Sequence, residues 1–384
     1  MYRTISIKIK PTPEQHKLLQ ETTKFFTVAF RDCIDYGWSH NTTNKAKIHH
    51  ATYYRLRNKT NLPADVLIQA RQKACETLTS LYQRKKKNKK VSKPRPKFCP
   101  IRYNYKSSRI DFVNGIVSLS TLKGRVKIPL KICNFHQKFT NGKYCSSDLI
   151  YRRGKWFLNI ILEFPTPKTR KTIDCIGVDL GVNRLAVTSQ RKFYSSKHLH
   201  NLVAKHQHLR SDLQSKRSKS ARKKLKRISG YWRRLQKNVN HVISKQIVDA
   251  CPKEFAIAME DLTDIRETTK RRKKQRGVFH SWSFYQLRKF IEYKAQAKGI
   301  PILLINPKDT SKTCPRCGHI SSRNRKSQSL FTCQVCGISL NADFSASQNI
   351  RQLAISLLSS LSVNQRNVGS ILLADKLTAL AASS

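Results

Sequence analysis

Acidic side chains are scarce. Of 384 residues only 22 are Asp or Glu, against 76 Lys or Arg, leaving a formal net charge of +54. No stretch reaches the roughly 18 uninterrupted apolar residues that a spanning helix needs. The opening M-Y-R-T-I-S-I-K-I-K has neither the apolar core nor the small-residue cleavage site of a signal peptide. An odd count of eleven cysteines on such a chain argues against a disulfide framework and for reduced thiols, some of them metal ligands. What is present is a hydrophobic fraction of 39%, too high for a disordered tail and enough, at this length, for roughly two or three domains. So large an excess of positive charge repels itself unless a polyanion neutralises it, and with the membrane excluded that polyanion is nucleic acid. The expectation is an intracellular, cytoplasmic protein associated with the nucleoid.

The texture along the chain changes several times. Ile5, Ile7 and Ile9 alternate with Ser6, Lys8 and Lys10, the period of a half-buried strand. In T-P-E-Q, Thr12 suits a helix N-cap and Pro13 the first helical position. Helical spacing recurs in pieces to about Gln83, and the run from Arg84 through K-P-R-P-K-F is a basic, proline-stiffened connector. Between Ile101 and Phe164 the pattern is β, and Pro165-Thr166-Pro167 marks a domain boundary. A new domain opens with I-D-C-I-G-V-D-L-G-V-N-R-L-A-V-T: a buried strand, a glycine turn and a second strand. Residues 201–250 form the longest helical candidate, with Leu225, Ile228, Trp232, Leu235, Val239 and Val242 on one face, Arg and Lys on the others, and Gly230 as a bend. F-A-I-A-M-E-D-L and G-I-P-I-L-L-I-N-P read as further strands, 282–298 as a helix, Lys270 to Arg276 as a charged loop, and the Ala- and Ser-rich end as weakly structured. Trp232 and Trp282 read as core residues.

Two sets of residues carry chemistry. Cys314-Pro-Arg-Cys317-Gly and Cys333-Gln-Val-Cys336-Gly are two C-x-x-C knuckles, each closed by a glycine that permits the tight turn. Four thiolates fill a tetrahedral shell, so the spacing predicts a structural zinc site. His319 is a spare ligand that a four-cysteine set does not need, and the other seven cysteines read as small hydrophobes. The second set is acidic. Asp179 follows I-G-V, Glu260 follows A-I-A-M, and Asp343 sits at a helix start after the second knuckle. Carboxylates converging from strand ends can hold two divalent cations for phosphodiester cleavage. Spacing alone does not bring them together, and a turn cap or an ion pair would account for each singly.

The order of these motifs resembles the TnpB family, the OrfB-type transposase family of insertion sequences, which is similar to the miniature type V CRISPR effectors. V-D-L-G, A-M-E-D-L and N-A-D-F-S-A-S-Q-N-I resemble the three segments of its RuvC-like nuclease. D-T-S-K-T-C-P-R-C-G resembles its zinc-ribbon entry, F-H-S-W-S-F-Y-Q-L-R-K-F-I-E-Y-K-A the helix before it, and K-I-K-P-T-P-E-Q and K-P-R-P-K-F its N-terminal part. One departure is Ser345, where the family usually has Asn.

The resemblance implies an α+β multidomain protein. Residues 1–11 and 91–166 would form a β-barrel wedge domain, 12–90 a helical recognition insertion, 172–310 and 341–360 an RNase H-like (RuvC-like) α/β nuclease domain, and 311–340 the zinc ribbon, with 361–384 a tail. It also implies an RNA-guided DNA endonuclease, with Asp179, Glu260 and Asp343 as a catalytic triad binding Mg2+, two ions in all. A structural Zn2+ would sit on Cys314, Cys317, Cys333 and Cys336. The implied partners are a guide RNA from the transposon end, double- and single-stranded DNA, and a separate transposase of the same element. Sequence reading would then fall to base pairing, and a positive surface suits gripping backbone.

Other readings have distinguishing marks. A non-cleaving RNA-guided repressor should lack a triad acid, and all three are present. A strand-transferring transposase or its accessory has only His198-Leu199-His200 in its favour, and that pair enters a basic helix where such chemistry needs a strand. A CRISPR-associated effector differs by genomic neighbours, not by residues.

Overall fold

The structure, a computed structural model, describes residues 1–181, 184–261 and 284–363. The chain divides into two compact units, Met1–Pro165 and Thr166–Ser384.

In the first unit β1 (Tyr2–Ile9) buries Ile5, Ile7 and Ile9 on one face, as its alternation predicts. The Thr12 hydroxyl accepts from the Gln15 backbone N–H while the Gln15 side chain accepts from the Thr12 N–H. This reciprocal cap starts α1 (Pro13–Ser39). Two more helices follow, α2 (Lys45–Thr60) and α3 (Ala64–Lys86). At 27 residues α1 is the longest helix among the described residues, not the 201–250 segment.

The β region comprises β2 (Ile101–Tyr103), β3 (Ser108–Asp111), β4 (Ile116–Thr121), β5 (Gly124–Pro129), the short α4 (Asn134–Gln137), β6 (Lys143–Arg152) and β7 (Lys155–Glu163). These strands do not close into the expected barrel. They divide into a four-stranded sheet, β1-β7-β6-β2, and a three-stranded sheet, β3-β4-β5, linked by one bridge between Ile9 and Leu130. The reason is local. Asn104 Oδ1 accepts from the backbone of Lys106 and Ser107, turning the chain directly after the three-residue β2, so the ladder cannot run on into β3. Both sheets and α1–α3 still share one core, which contains Phe26, Leu78, Tyr103, Leu119 and Ile160.

The second unit runs β8 (Asp174–Asp179), β9 (Arg184–Thr188), β10 (Phe193–Ser195), α5 (Lys197–Ser215), α6 (Lys219–Ile228), α7 (Tyr231–Asp249), β11 (Phe255–Glu260), α8 (Phe284–Gln296), β12 (Ile302–Ile305), β13 (Leu330–Thr332), β14 (Ser339–Asn341) and α9 (Ala342–Val363). Its five-stranded sheet has the order β10-β9-β8-β11-β12. β8, β11 and β12 are parallel, while β9 pairs antiparallel with both β8 and β10.

The 201–250 segment is three helices, broken near Arg217 (φ +48°) and at Gly230 (φ +76°), both left-handed. Its buried face includes the expected Trp232, Leu235 and Val239 but departs from the expectation after them. Ile243, Ile247 and Val248 enter the core, whereas Val242 stays 49% exposed. Trp232 is partly buried against this core. Of the scattered cysteines Cys33, Cys75, Cys99 and Cys175 are buried, but Cys133 is exposed. The Lys270–Arg276 loop, Trp282 and the tail from 364 lie outside the described residues. No helix among the described residues is long and apolar enough to cross a membrane.

Candidate active site and metal centre

Asp179 and Glu260 end neighbouring parallel strands. β8 and β11 pair in register up to Val178 opposite Met259, so the two carboxylates emerge one residue later at the same edge of the sheet. Ligand crevices of open α/β sheets lie at this end of the strands. The third acid comes from α9, which packs across β8. Gly177 N–H donates to the Ser189 hydroxyl, and Gln348 donates to the Ser189 carbonyl, tying β8 and α9 to the same turn. Asp343 lies in the first turn of α9, where an anionic side chain suits the helix N-terminus.

The three acids influence one another. Burial pushes the Asp179 carboxyl well above the ordinary carboxylate range, and the negative charges of Glu260 and Asp343 push it further. Burial also raises Glu260, opposed by a hydrogen bond from the Thr310 hydroxyl (2.5 Å) and by Arg325. Asp343 is raised by burial and held back by Arg184 and Arg325, whose guanidinium nitrogens lie 3.8 and 3.6 Å from its oxygens. Carboxylates this crowded resist ionising together unless positive charge is brought among them. Carboxylate oxygens are the donors that hard divalent cations take, and such charge among these acids would relieve their crowding.

Sequence reasoning missed four supporting residues. Gly177 had a signal, since a glycine inside a buried strand marks close backbone approach. Asn349, buried in S-Q-N-I, donates to the carbonyls of Thr310 and Thr313, both at 2.7 Å. It anchors the segment that carries Thr310. Arg184 and Arg325 had no distinguishing signal among 76 basic residues. Ser345 is 1% exposed and its hydroxyl makes no hydrogen bond among the described residues.

The cysteines form a separate centre. The sulfurs of Cys314, Cys317, Cys333 and Cys336 all lie within 4.8 Å of one another, and among the described residues they are the one such group. Cys314 to Cys336 is 3.6 Å and Cys317 to Cys333 is 3.5 Å. A tetrahedral zinc with bonds of ~2.3 Å needs sulfur–sulfur edges of ~3.8 Å, so the cage fits. Gly318 (φ +75°) and Gly337 (φ +68°) take the left-handed turn that closes each knuckle. The Cys336 and Val335 N–H groups help bring Cys333 down to about 6, while Cys317 is pushed up to about 11. His319 is not a ligand here. Its carbonyl accepts from the Cys314 N–H and its N–H faces Cys317. His198 and His200 fall in α5, a helix and not a strand.

Residues 284–350 match a family model described as "Cas12f1-like, TNB domain", and residues 159–272 one described as "Probable transposase". The CRISPR-associated endodeoxyribonuclease Cas12f1 of Sulfoacidibacillus thermotolerans is 30% identical over 292 residues, covering 65% of this chain and 67% of that protein. The chain belongs to the TnpB and Cas12f family. Another member, the TnpB-like protein MJ0751 of Methanocaldococcus jannaschii, is 28% identical over 244 residues, 59% of this chain and 85% of the relative. Of two further relatives the chain spans 40% and 53%. The mixed α+β fold is also that of the family: the protein in the cryo-EM structure of a Cas12f1–sgRNA–target DNA complex superposes with a TM-score of 0.65 at 18% identity, covering 88% of this chain and 83% of that one.

Proposed function

We propose that the chain is an RNA-guided DNA endonuclease of an insertion sequence, using Asp179, Glu260 and Asp343 as a RuvC-like metal-binding triad. The observation that carries this is electrostatic. Asp179 is driven far above its ordinary range by burial and by the two other acids, an arrangement that costs stability without a cation to neutralise it. Membership of a family whose curated relative is named an endodeoxyribonuclease supports the same reading.

In this reading the triad holds two Mg2+ ions, which supply the charge that activates water and stabilises the leaving oxygen. The chain's own residues do the rest. Thr310 holds Glu260 in one orientation through its hydroxyl. Arg184 and Arg325 hold Asp343 and offset part of the negative charge. Zn2+ on the four cysteines fixes the ribbon that carries Arg325. The segments 1–11 and 91–166 serve as wedge, 12–90 as recognition insertion, 172–310 and 341–360 as nuclease. Guide RNA and target DNA, the partners in the related Cas12f1 complex, bind the basic surface through their phosphates.

A guided cleavage assay with Mg2+, run beside a binding assay, tests the reading. Asp179→Ala, Glu260→Ala and Asp343→Ala should each lower cleavage by orders of magnitude while RNA and target binding survive, because the basic surfaces are untouched. An Asp343→Ala protein cutting at the wild-type rate would overturn the triad. A wild type that binds its target and never cuts would favour a repressor.

A further inference from the structure

Beside the acids a line of aromatic and cationic side chains leads away along β10. Arg184, which contacts Asp343, also lies over the Phe193 ring at 4.8 Å. Phe193 lies 6.4 Å from Phe344, the residue after Asp343, and Arg191 covers Phe344 at 5.4 Å. β10 is an edge strand, and Phe193 pairs with Val187 ahead of the bulge at Tyr194/Ser195. Phe344 is buried, whereas Phe193 remains 45% exposed beneath the Arg184 guanidinium. Phe193 also lines a groove of about 940 Å³ between β10 and α7, whose other members include Lys192, Lys245, Val242 and Asp249. The Asp249 carboxylate is taken up by Lys298 at 2.6 Å, so the groove presents net positive charge. The buried Arg184 Nη1 atom faces Asp343 at 3.8 Å, which places the guanidinium between the acidic site and the Phe193 ring.

An exposed aromatic ring, a guanidinium at the edge of the acidic site and lysines along one groove suit a single strand of DNA, whose bases stack and whose phosphates need cations. An apolar protein partner would want the aliphatic surface without the lysines. We propose that Phe193 is a stacking platform for a base of the DNA strand entering the acidic site, with Arg184 contacting an adjoining phosphate and the Lys192–Lys245 groove carrying the backbone onward. The proposal rests on the nuclease reading for its direction of travel, and its test does not depend on cleavage.

The full chain is mixed, without divalent cations, with a short single-stranded oligonucleotide carrying 5-iodouracil. It is then irradiated, and the cross-linked peptides are mapped. Residues 191–195 should be among them. Phe193→Ala should weaken binding of the same oligonucleotide roughly tenfold, in line with the loss of one base–aromatic stack, while Phe193→Tyr and Phe193→Trp restore it. Equal loss in all three variants would mean that only the fold was damaged, and would overturn the platform. A wild-type map with no cross-link at 191–195 overturns it even if no variant folds. If that map is empty while guided cleavage succeeds, the platform falls and the nuclease reading stands. If Phe193 cross-links but wild type never cuts, the nuclease reading falls alone.

Discussion

A β-carbon placed on Gly177 would lie 2.0 Å from the carbonyl oxygen of Ser347 and 2.7 Å from the backbone nitrogen of Arg351. Strand β8 and helix α9 therefore meet backbone to backbone, with no room for a methyl group. Arg351 clamps the same junction through Asp174, with contacts of 3.1 and 2.5 Å. This closeness sets the spacing between Asp179, two residues along the strand, and Asp343, one turn earlier on the helix. Gly177→Ala must push the helix away. It should cost about 1–3 kcal/mol by overpacking and remove most cleavage, because all three acids no longer converge. Thermal unfolding and the cleavage assay check this, and a folded Gly177→Ala protein with full activity would contradict it.

The cysteine cage gives a second expectation. Purified protein should carry one zinc per chain, and Cys333→Ser should lose it, since the cage then keeps only three of its four sulfurs. Loss should unfold the ribbon locally and, with it, displace Arg325 from Asp343. Chelation of wild type should therefore lower both protease resistance of 311–340 and cleavage. Metal analysis that finds no zinc would refute the assignment.

Several features were legible because their signals are local. The cysteine spacing, the acids at strand ends and the Thr12 cap each follow from a few neighbouring residues. What sequence could not give was convergence. Asp343 reaches Asp179 only through the Gly177 contact and the packing of α9 on β8, and Arg184 and Arg325 stand out only once folded beside Asp343. Closure of the β region failed for a similar reason. Alternation fixes which side chains are buried, but a four-residue turn after β2 decides which strands pair. In α7 the three-four spacing holds for Trp232, Leu235 and Val239, and it departs only at its end, where Ile243 and not Val242 is buried.

Charge makes a prediction of its own. If the basic surface grips RNA through phosphates, log affinity should fall linearly with log salt, with a slope near −0.7 for each phosphate neutralised on a single strand. Replacing exposed helix cations such as Arg222, Lys223 and Arg227 together by Gln should flatten that slope without moving the melting temperature. Binding titrations across a salt series measure it. A slope near zero would show that the +54 excess serves something else.

Acid should weaken the second unit through His241. Its ring stacks on Phe290 at 4.0 Å and 14°, and Lys294 donates to its backbone carbonyl at 2.5 Å, joining α7 to α8. Tyr293 faces its Nδ1 at 3.3 Å. Burial first, then the charges of Lys294 and Lys237, lower its pKa from 6.5 to about 4. The folded protein thus keeps the ring neutral where the unfolded chain would protonate it. The sign follows: the stabilisation is complete above pH 6.5 and is lost as pH falls toward about 4. A single proton gives a slope of at most about 1.4 kcal/mol per pH unit, and less here because the ring is only partly buried. His241→Phe keeps the stack and removes the titration, so its stability should fall less steeply across that window. Urea unfolding of both proteins at neutral pH and again near pH 5 decides the matter, and parallel slopes would show that His241 is not the group responsible.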